Sequence, residues 1–247
     1  LIPAKTWVGY ISSTAVYGNY DAEWVTESDS VKCKAGTKGE LYHRCENEWR
    51  NAADVSGWRL HVFRAAGIYG KSASAIHTIR KMGAAAEATA AKDDESEVDL
   101  PTSRIHEEDL SRALLCTMMD KGGLTGDSKL WNLADDDPAP RAQVMAFAAQ
   151  LLKEANTLSP PKHEDESQSA KSSERERRRS TDRKRVSNKR IKDILPDKKL
   201  LFPTYREGLQ SVLDSNREEW SSKVQGAPEL KETEKLETES PDTKVLK

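Results

Sequence analysis

Apolar and polar positions fall into blocks along this chain, each with its own period. Residues 7–12, WVGYIS, are aromatic and β-branched with no polar face, which predicts a strand covered on both sides. Over residues 39–55, Leu41, Cys45, Trp49 and Ala52 recur roughly once per helical turn, and Gly57 follows as a stop. Residues 58–64, WRLHVFR, predict a second strand running into a glycine-bearing turn, AAGIYG, with a helix over 72–82. Residues 92–100, KDDESEVDL, are charged and unpatterned, hence a loop. A helix over 107–119 carries Leu110, Leu114 and Met118 on one face, with acids in its first turn. A short strand over 129–133 and a helix over 140–155 follow, with Asp135, Asp136 and Asp137 ahead of the helix. One last short helix is expected at 204–213, and no internal repeat is present. Strands alternate with helices across connections long enough for crossovers, which predicts an α/β domain with a mostly parallel sheet.

Composition qualifies that picture. Only 36% of the 247 residues are hydrophobic and 6% aromatic, while 32% are charged, as in a globular part diluted by polar segments. Residues 159–184 supply one such segment, and the Lys/Glu/Pro/Ser tail from 222 another, expected to be disordered. The net charge of −2 gives no global field for nucleic acid or membrane. Cys33, Cys45 and Cys116 lie far apart without a CxxC, which argues against a disulfide framework or metal site and for a reducing compartment. No run approaches the roughly 20 apolar residues of a membrane span. No signal peptide is visible, so the protein is not expected to be secreted; the chain opens on Leu1 rather than Met, which leaves room for a preceding piece.

The first strand empties into Ser12, Ser13 and Thr14. Ligands of an open parallel sheet sit outside the carboxyl ends of its strands, so these hydroxyls are expected to face a cleft. There they can donate and accept hydrogen bonds where hydride and proton move between a carbonyl and an alcohol. A Ser/Thr turn closing the strand is the plainer alternative. SSTAVYG resembles the signature of the extended short-chain dehydrogenase/reductases, in their NAD-dependent epimerase/dehydratase branch. The resemblance continues in order through ENEW, VFRAAGIYG, SRIHEEDLSRAL, WNLADDDPAPRAQVMAFAAQLL, VSNKRIKDIL and FPTYREGL. It implies the C-terminal part of a Rossmann-type NAD(P)-binding sheet, with a small substrate lobe and a disordered tail. The family's Gly-rich phosphate turn is not found; GGLTG at Gly122 follows a helix, not a strand. Against the family, the chain is expected to start near the fourth or fifth strand and to bind the dinucleotide weakly or not at all. The implied divisions are 1–158, Rossmann-like; 159–184, a basic insertion; 185–221, a C-terminal lobe; and 222–247, the tail.

The resemblance places Ser13 at the catalytic Ser/Thr, with Thr14 as the alternative. The family's Tyr-x-x-x-Lys is expected on the next helix, KGELYHRCENEW; with Glu46 as the acid that follows the lysine, Lys38 falls at the tyrosine and Tyr42 at the lysine. The residue types are present but exchanged, one turn apart, so both could reach one cleft. Inverted acid–base chemistry is one reading; a solvated lysine and a tyrosine ring packed at the helix edge is the other. The resemblance also implies cofactor contacts at Ser12, Ala65, Ala66 and Ile68, and substrate contacts at Tyr17, Arg104 and His106. Taken alone, His106 suits a packed helix-start histidine, and Asp109 a group that caps or stabilises the helix that follows. Asn188, Tyr205 and Arg206 would belong to the lobe over the substrate.

The tract KSSERERRRSTDRKRVSNKRIK, from Lys171, could neutralise several phosphates or act as a nuclear-import stretch. Its interspersed acids and lack of aromatics favour a solvated insertion, so nucleic acid is disfavoured as a partner. The implied activity is NAD- or NADP-dependent redox or epimerisation of a sugar-like or nucleotide-linked small molecule. A non-catalytic cofactor-sensing or scaffold paralogue is the main alternative and a nucleic-acid-associated protein the second. A homodimer is left open, and the compartment is expected to be cytoplasm or plastid.

Overall fold

The computed structural model describes residues 3, 5–82, 100–120, 129–155 and 183–225. Residues 92–99 of the loop expected at 92–100, GGLTG, most of the basic insertion and the tail beyond 225 lie outside the described residues. Three strands form the central sheet: β1 (Trp7–Ser13), β3 (Arg59–Ala65) and β7 (Lys129–Leu133), in the order β1-β3-β7 and all parallel. Their register brings Ser13, Ala65 and Leu133 level at the carboxyl ends. Short parallel pairs flank the sheet: β2 (Trp24–Val25) with β9 (Arg185–Val186), and β4 (Gly67–Tyr69) with β6 (Arg104–His106). β5 (Pro101–Thr102) and β8 (Ala139–Pro140) pair antiparallel.

Helix α1 (Lys38–Ser56) starts at Thr37, whose hydroxyl accepts the Glu40 N–H, and stops at Gly57 in the left-handed conformation (φ 67°). A non-glycine residue would be strained there. Helices α2 (Ala75–Met82), α3 (Glu107–Met119) and α4 (Arg141–Glu154) follow the expected order. The short α5 (Lys189–Lys192) precedes α6 (Tyr205–Gln225), which runs well past the expected end at 213. The AAGIYG stretch is not a simple turn, because Gly67–Tyr69 is strand β4.

β3 is buried along nearly its whole length because it lies between two strands. β1 departs from the expectation of cover on both sides. Ser12 is buried and Val8 and Tyr10 are half-buried toward α1, but Ile11 on the opposite face is 43% exposed. Among the described residues β1 pairs on one edge only, so less of it is covered. A second core joins α2, α4 and α6 through Ile76, Ile79, Ala148, Leu152, Leu209 and Val212. No described helix is long and apolar enough to cross a membrane.

Candidate cofactor and substrate site

One step before the strand ends, Ser12, Arg64 and Asn132 stand level across β1, β3 and β7, and all three are buried. Polar side chains in that position need partners, and each finds one. Glu46, fully buried on α1, accepts from Ser12 Oγ at 2.7 Å and from Arg64 through Nε at 2.9 Å and Nη2 at 2.8 Å. Arg50, one turn along α1, adds a contact at 3.0 Å. Burial by itself would raise the Glu46 carboxyl, but the hydrogen bonds and charge of Arg64 outweigh it and hold the group below its ordinary value. The Arg64 guanidinium lies 4.6 Å from the Tyr17 ring centroid, and Tyr17 Oη donates to Asn132 Oδ1 at 2.7 Å. Burial pushes the Tyr17 hydroxyl up against the pull of Arg64. Glu27 closes the row by accepting the Asn132 backbone N–H at 2.8 Å.

This lock fixes where the predicted site residues stand. Ser12 does not face a cleft; strand alternation turns it toward α1, where its hydroxyl is taken by Glu46. Ser13 is only partly buried and caps the 3₁₀ turn Thr14–Tyr17, its Oγ accepting the Ala15 N–H at 3.2 Å. Gly39 brings the amino end of α1 hard against that turn, since a Cβ there would sit 2.4 Å from the Ala15 carbonyl oxygen. The fold therefore carries the start of α1, with Lys38, to the end of β1. Lys38 itself is exposed, and Tyr42 is 36% exposed. Tyr42 lies near Tyr10, whose hydroxyl is pushed up to about 12, first by burial and then by Cys45, Glu46 and Tyr42.

Ala65 and Ala66 are buried at the end of β3, the Ala66 N–H bonds the Leu133 carbonyl at 2.9 Å, and Ile68 is 52% exposed. Tyr17 is fully buried, with its hydroxyl committed to Asn132. Arg104 Nη2 donates to Thr102 Oγ1 at 2.8 Å and to the Ala139 carbonyl at 3.0 Å. His106 is the N-cap of α3, its Nδ1 accepting the Glu108 N–H at 3.2 Å, and it packs 4.1 Å from Phe202 between ring centroids. Asp109 is not a cap. Its buried carboxylate accepts the N–H groups of Leu201 at 2.7 Å and Phe202 at 2.9 Å, tying α3 to the segment before α6. Asn188 donates to the Ala134 carbonyl at 2.9 Å and to Asp136 at 2.7 Å, and Arg206 pairs with Asp137 at 2.7 Å.

Two roles escaped the reading of the sequence. Glu46 is visible there only as a register mark, although an acid 18 residues before the strand-borne Arg64 is a weak signal. Asp135 is visible only as one of three aspartates, yet it is 1% exposed. None of the three cysteines forms a disulfide, and no group of metal-ligating residues occurs among the described residues. A groove of about 220 Å³ borders the lock on its Arg50 side, lined further by Ala53, Asp54, Leu60, Val62, Lys129 and Leu130.

A parallel sheet with polar side chains level at its carboxyl ends, and a helix start pressed against the first of them, defines a Rossmann-type α/β protein. The fold is that of the NAD(P)-binding epimerases. A functionally unknown conserved protein from Silicibacter pomeroyi is similar at 30% identity, with a TM-score of 0.60 over 85% of this chain and 66% of that one. RMD from Pseudomonas aeruginosa, complexed with NADPH, is similar in structure at 15% identity, with a TM-score of 0.57 over 85% and 66%. UDP-glucuronic acid 4-epimerase from Bacillus cereus, in complex with UDP-glucuronic acid and NAD, gives 12% identity and a TM-score of 0.59 over 86% and 62%. The chain thus spans about two thirds of the length of these structures. No protein-family model and no curated protein matches the sequence.

Proposed function

We propose that this chain belongs to an NAD(P)-dependent oxidoreductase- or epimerase-like protein acting on a sugar-like or nucleotide-linked substrate. The observation that carries the reading is the level placement of Ser13, Ala65 and Leu133 over the Ser12–Glu46–Arg64 lock, with the amino end of α1 against the turn that follows. That geometry offers a flat, small-residue strand end at Ala65 and Ala66, over which a planar ring can lie, and hydroxyls at Ser13 and Thr14 beside it. The similar structures holding NADPH, or NAD with UDP-glucuronic acid, support NAD or NADP and a sugar nucleotide as the classes to test. Bound there, the nicotinamide would supply or accept a hydride; Ser13 or Thr14 would hydrogen-bond the reacting substrate oxygen, and Lys38 or Tyr42 would move its proton. The proposed organisation places the Rossmann-like part at 1–158 and the lobe at 185–221.

The exchanged pair Lys38 and Tyr42, both open to solvent, favours a second reading as a cofactor-sensing, non-catalytic paralogue. A nucleic-acid role draws less support. In the described part of the basic tract, Lys184 bonds the Gly18 carbonyl, Arg185 the Ala22 carbonyl, Arg190 the Leu130 carbonyl and Lys192 the Asp136 carboxylate. The deciding experiment incubates the protein with NAD or NADP and UDP-sugars and follows nicotinamide absorbance and sugar NMR together. Interconversion that fails in Ser13→Ala/Thr14→Val supports the enzyme; cofactor binding without turnover supports the sensor; neither outcome, even with millimolar cofactor, overturns both.

A further inference from the structure

Outside the Ser12–Glu46–Arg64 lock, a second pair of reactive side chains meets at the start of α2. Ser74 Oγ lies 2.9 Å from His77 Nδ1, one helical turn along, and both residues are only half-buried. A hydroxyl within hydrogen-bond reach of an imidazole is the arrangement by which a serine becomes nucleophilic at neutral pH.

The surrounding elements hold this pair in place. β4 ends in a tight turn, in which the Gly70 N–H donates to the Ala73 carbonyl at 2.9 Å. The Ser74 carbonyl then accepts the Thr78 N–H and the Thr78 hydroxyl, each at 3.2 Å, and the helix begins. From α3, the Glu107 carboxylate accepts the Lys71 N–H at 2.7 Å, and it sits where a Cβ on Gly70 would have to go. From α6, Asn216, itself 4% exposed, donates to the Lys71 carbonyl at 3.4 Å. Ile76 and Ile79, buried in the second core, fix the other face of α2. The Lys71 backbone also hydrogen-bonds the His77 ring.

The charge state suits a base. Burial lowers His77 below its ordinary value, and Arg80 and Lys81 on its own helix add to the fall, against the Lys71 backbone and Glu107 of α3. The ring is therefore neutral at pH 7 and able to take a proton. The N–H groups that follow Ser74 in the first turn of α2 have no carbonyl to bond within the helix, and they are the donors at hand for an oxyanion formed on Ser74.

We propose that Ser74 and His77 form a nucleophile–base pair that hydrolyses small acyl esters, a chemistry separate from hydride transfer and independent of any dinucleotide. With the ring proton on Nε2, Ser74 Oγ bonds to the ester carbonyl carbon as its own proton passes to His77 Nδ1. The carbon–oxygen bond to the alcohol breaks, and the leaving oxygen takes that proton from Nδ1. Water then adds to the acyl-Ser74 carbon, giving a proton to Nδ1; the acid departs, and Ser74 Oγ recovers the proton. A site at the surface suits small acyl groups on good leaving groups.

The test is hydrolysis of p-nitrophenyl acetate by the 247-residue chain, with peptide mass spectrometry to place the acetyl group and a fluorophosphonate as a second, serine-selective label. Both labels are expected on Ser74, and turnover should rise with pH through a midpoint below 6.5 and then level off. Ser74→Asp keeps a side chain able to cap α2 but has no nucleophilic hydroxyl, so its melting temperature should hold while labelling and turnover vanish. His77→Gln should slow turnover about a hundredfold or more. Acetyl groups on lysines alone, turnover unchanged in Ser74→Asp or His77→Gln, or a rate that climbs with pH without levelling overturns the pair. The label map of the unaltered chain decides the question even where a variant fails to fold, and the outcome of an NAD titration leaves it untouched.

Discussion

At the scale of single residues, Glu46 is the side chain whose loss should cost most. Its removal leaves Arg64 buried, charged and unpaired beside Ser12, a situation that typically costs about 3–5 kcal/mol. Glu46→Ala should therefore lower the urea midpoint sharply, whereas Glu46→Leu combined with Arg64→Met should recover much of the loss. Asp135 behaves in the opposite way. Its folded value, about 8, lies above the unfolded one, so the stability linked to its protonation is full below about 4 and fades as pH rises toward 8. Asp135→Asn keeps the neutral shape and should raise the melting temperature by a margin that widens from pH 4 to pH 8; a constant margin would contradict the assignment. Neither role was legible in the sequence. Partners for Glu46 come from strands on either side of it in sequence, and the burial of Asp135 is created by Tyr69, Arg104 and α6, none of which is local to it. The position of Ser13 at the end of β1 was legible, because a hydroxyl closing an apolar run is a local pattern.

At the scale of elements, the helices with clear apolar stripes and one marked end stood out in the sequence: α1 with its stop at Gly57, and α3 with its leading acids. The two- and three-residue strands did not. β2 exists because Trp24 and Val25 meet Arg185 and Val186 from far along the chain, and β4 because Gly67 to Tyr69 meet Arg104 to His106. The end of α6 was also missed, since its polar second half carries no stripe. Two elements give direct tests. Across β1, β3 and β7, Trp7, His61 and Trp131 stack at 6.0 and 6.1 Å, and His61 Nδ1 accepts the Trp131 indole N–H at 3.0 Å. Burial first, then Arg59 and Lys129, lowers His61 to about 4. The unfolded chain takes up this proton near pH 6.5 and the folded one does not, so stability should fall as pH drops from 6.5 toward 4. His61→Gln should flatten that slope in pH-dependent melting. At the start of α1, Gly39→Val drives a side chain into the Ala15 carbonyl and should cost about 1–3 kcal/mol, read as a lower melting temperature.

At the scale of the molecule, the order of strands and helices was readable because a parallel α/β chain alternates its periods. What the sequence did not show was that one polar row, Ser12–Arg64–Asn132, ties all three sheet strands together at the edge where ligands of this fold bind. In the proposed function, the nicotinamide end of NAD(P) would lie just beyond that row. The most direct measurement is an amide-resolved NMR titration of the chain with NADH and NADPH. Weak binding is predicted, with shifts concentrated at Ser12, Ser13, Thr14, Ala65, Ala66 and Ile68. Silence at those amides in millimolar cofactor, or saturating shifts confined to other parts of the molecule, would contradict it.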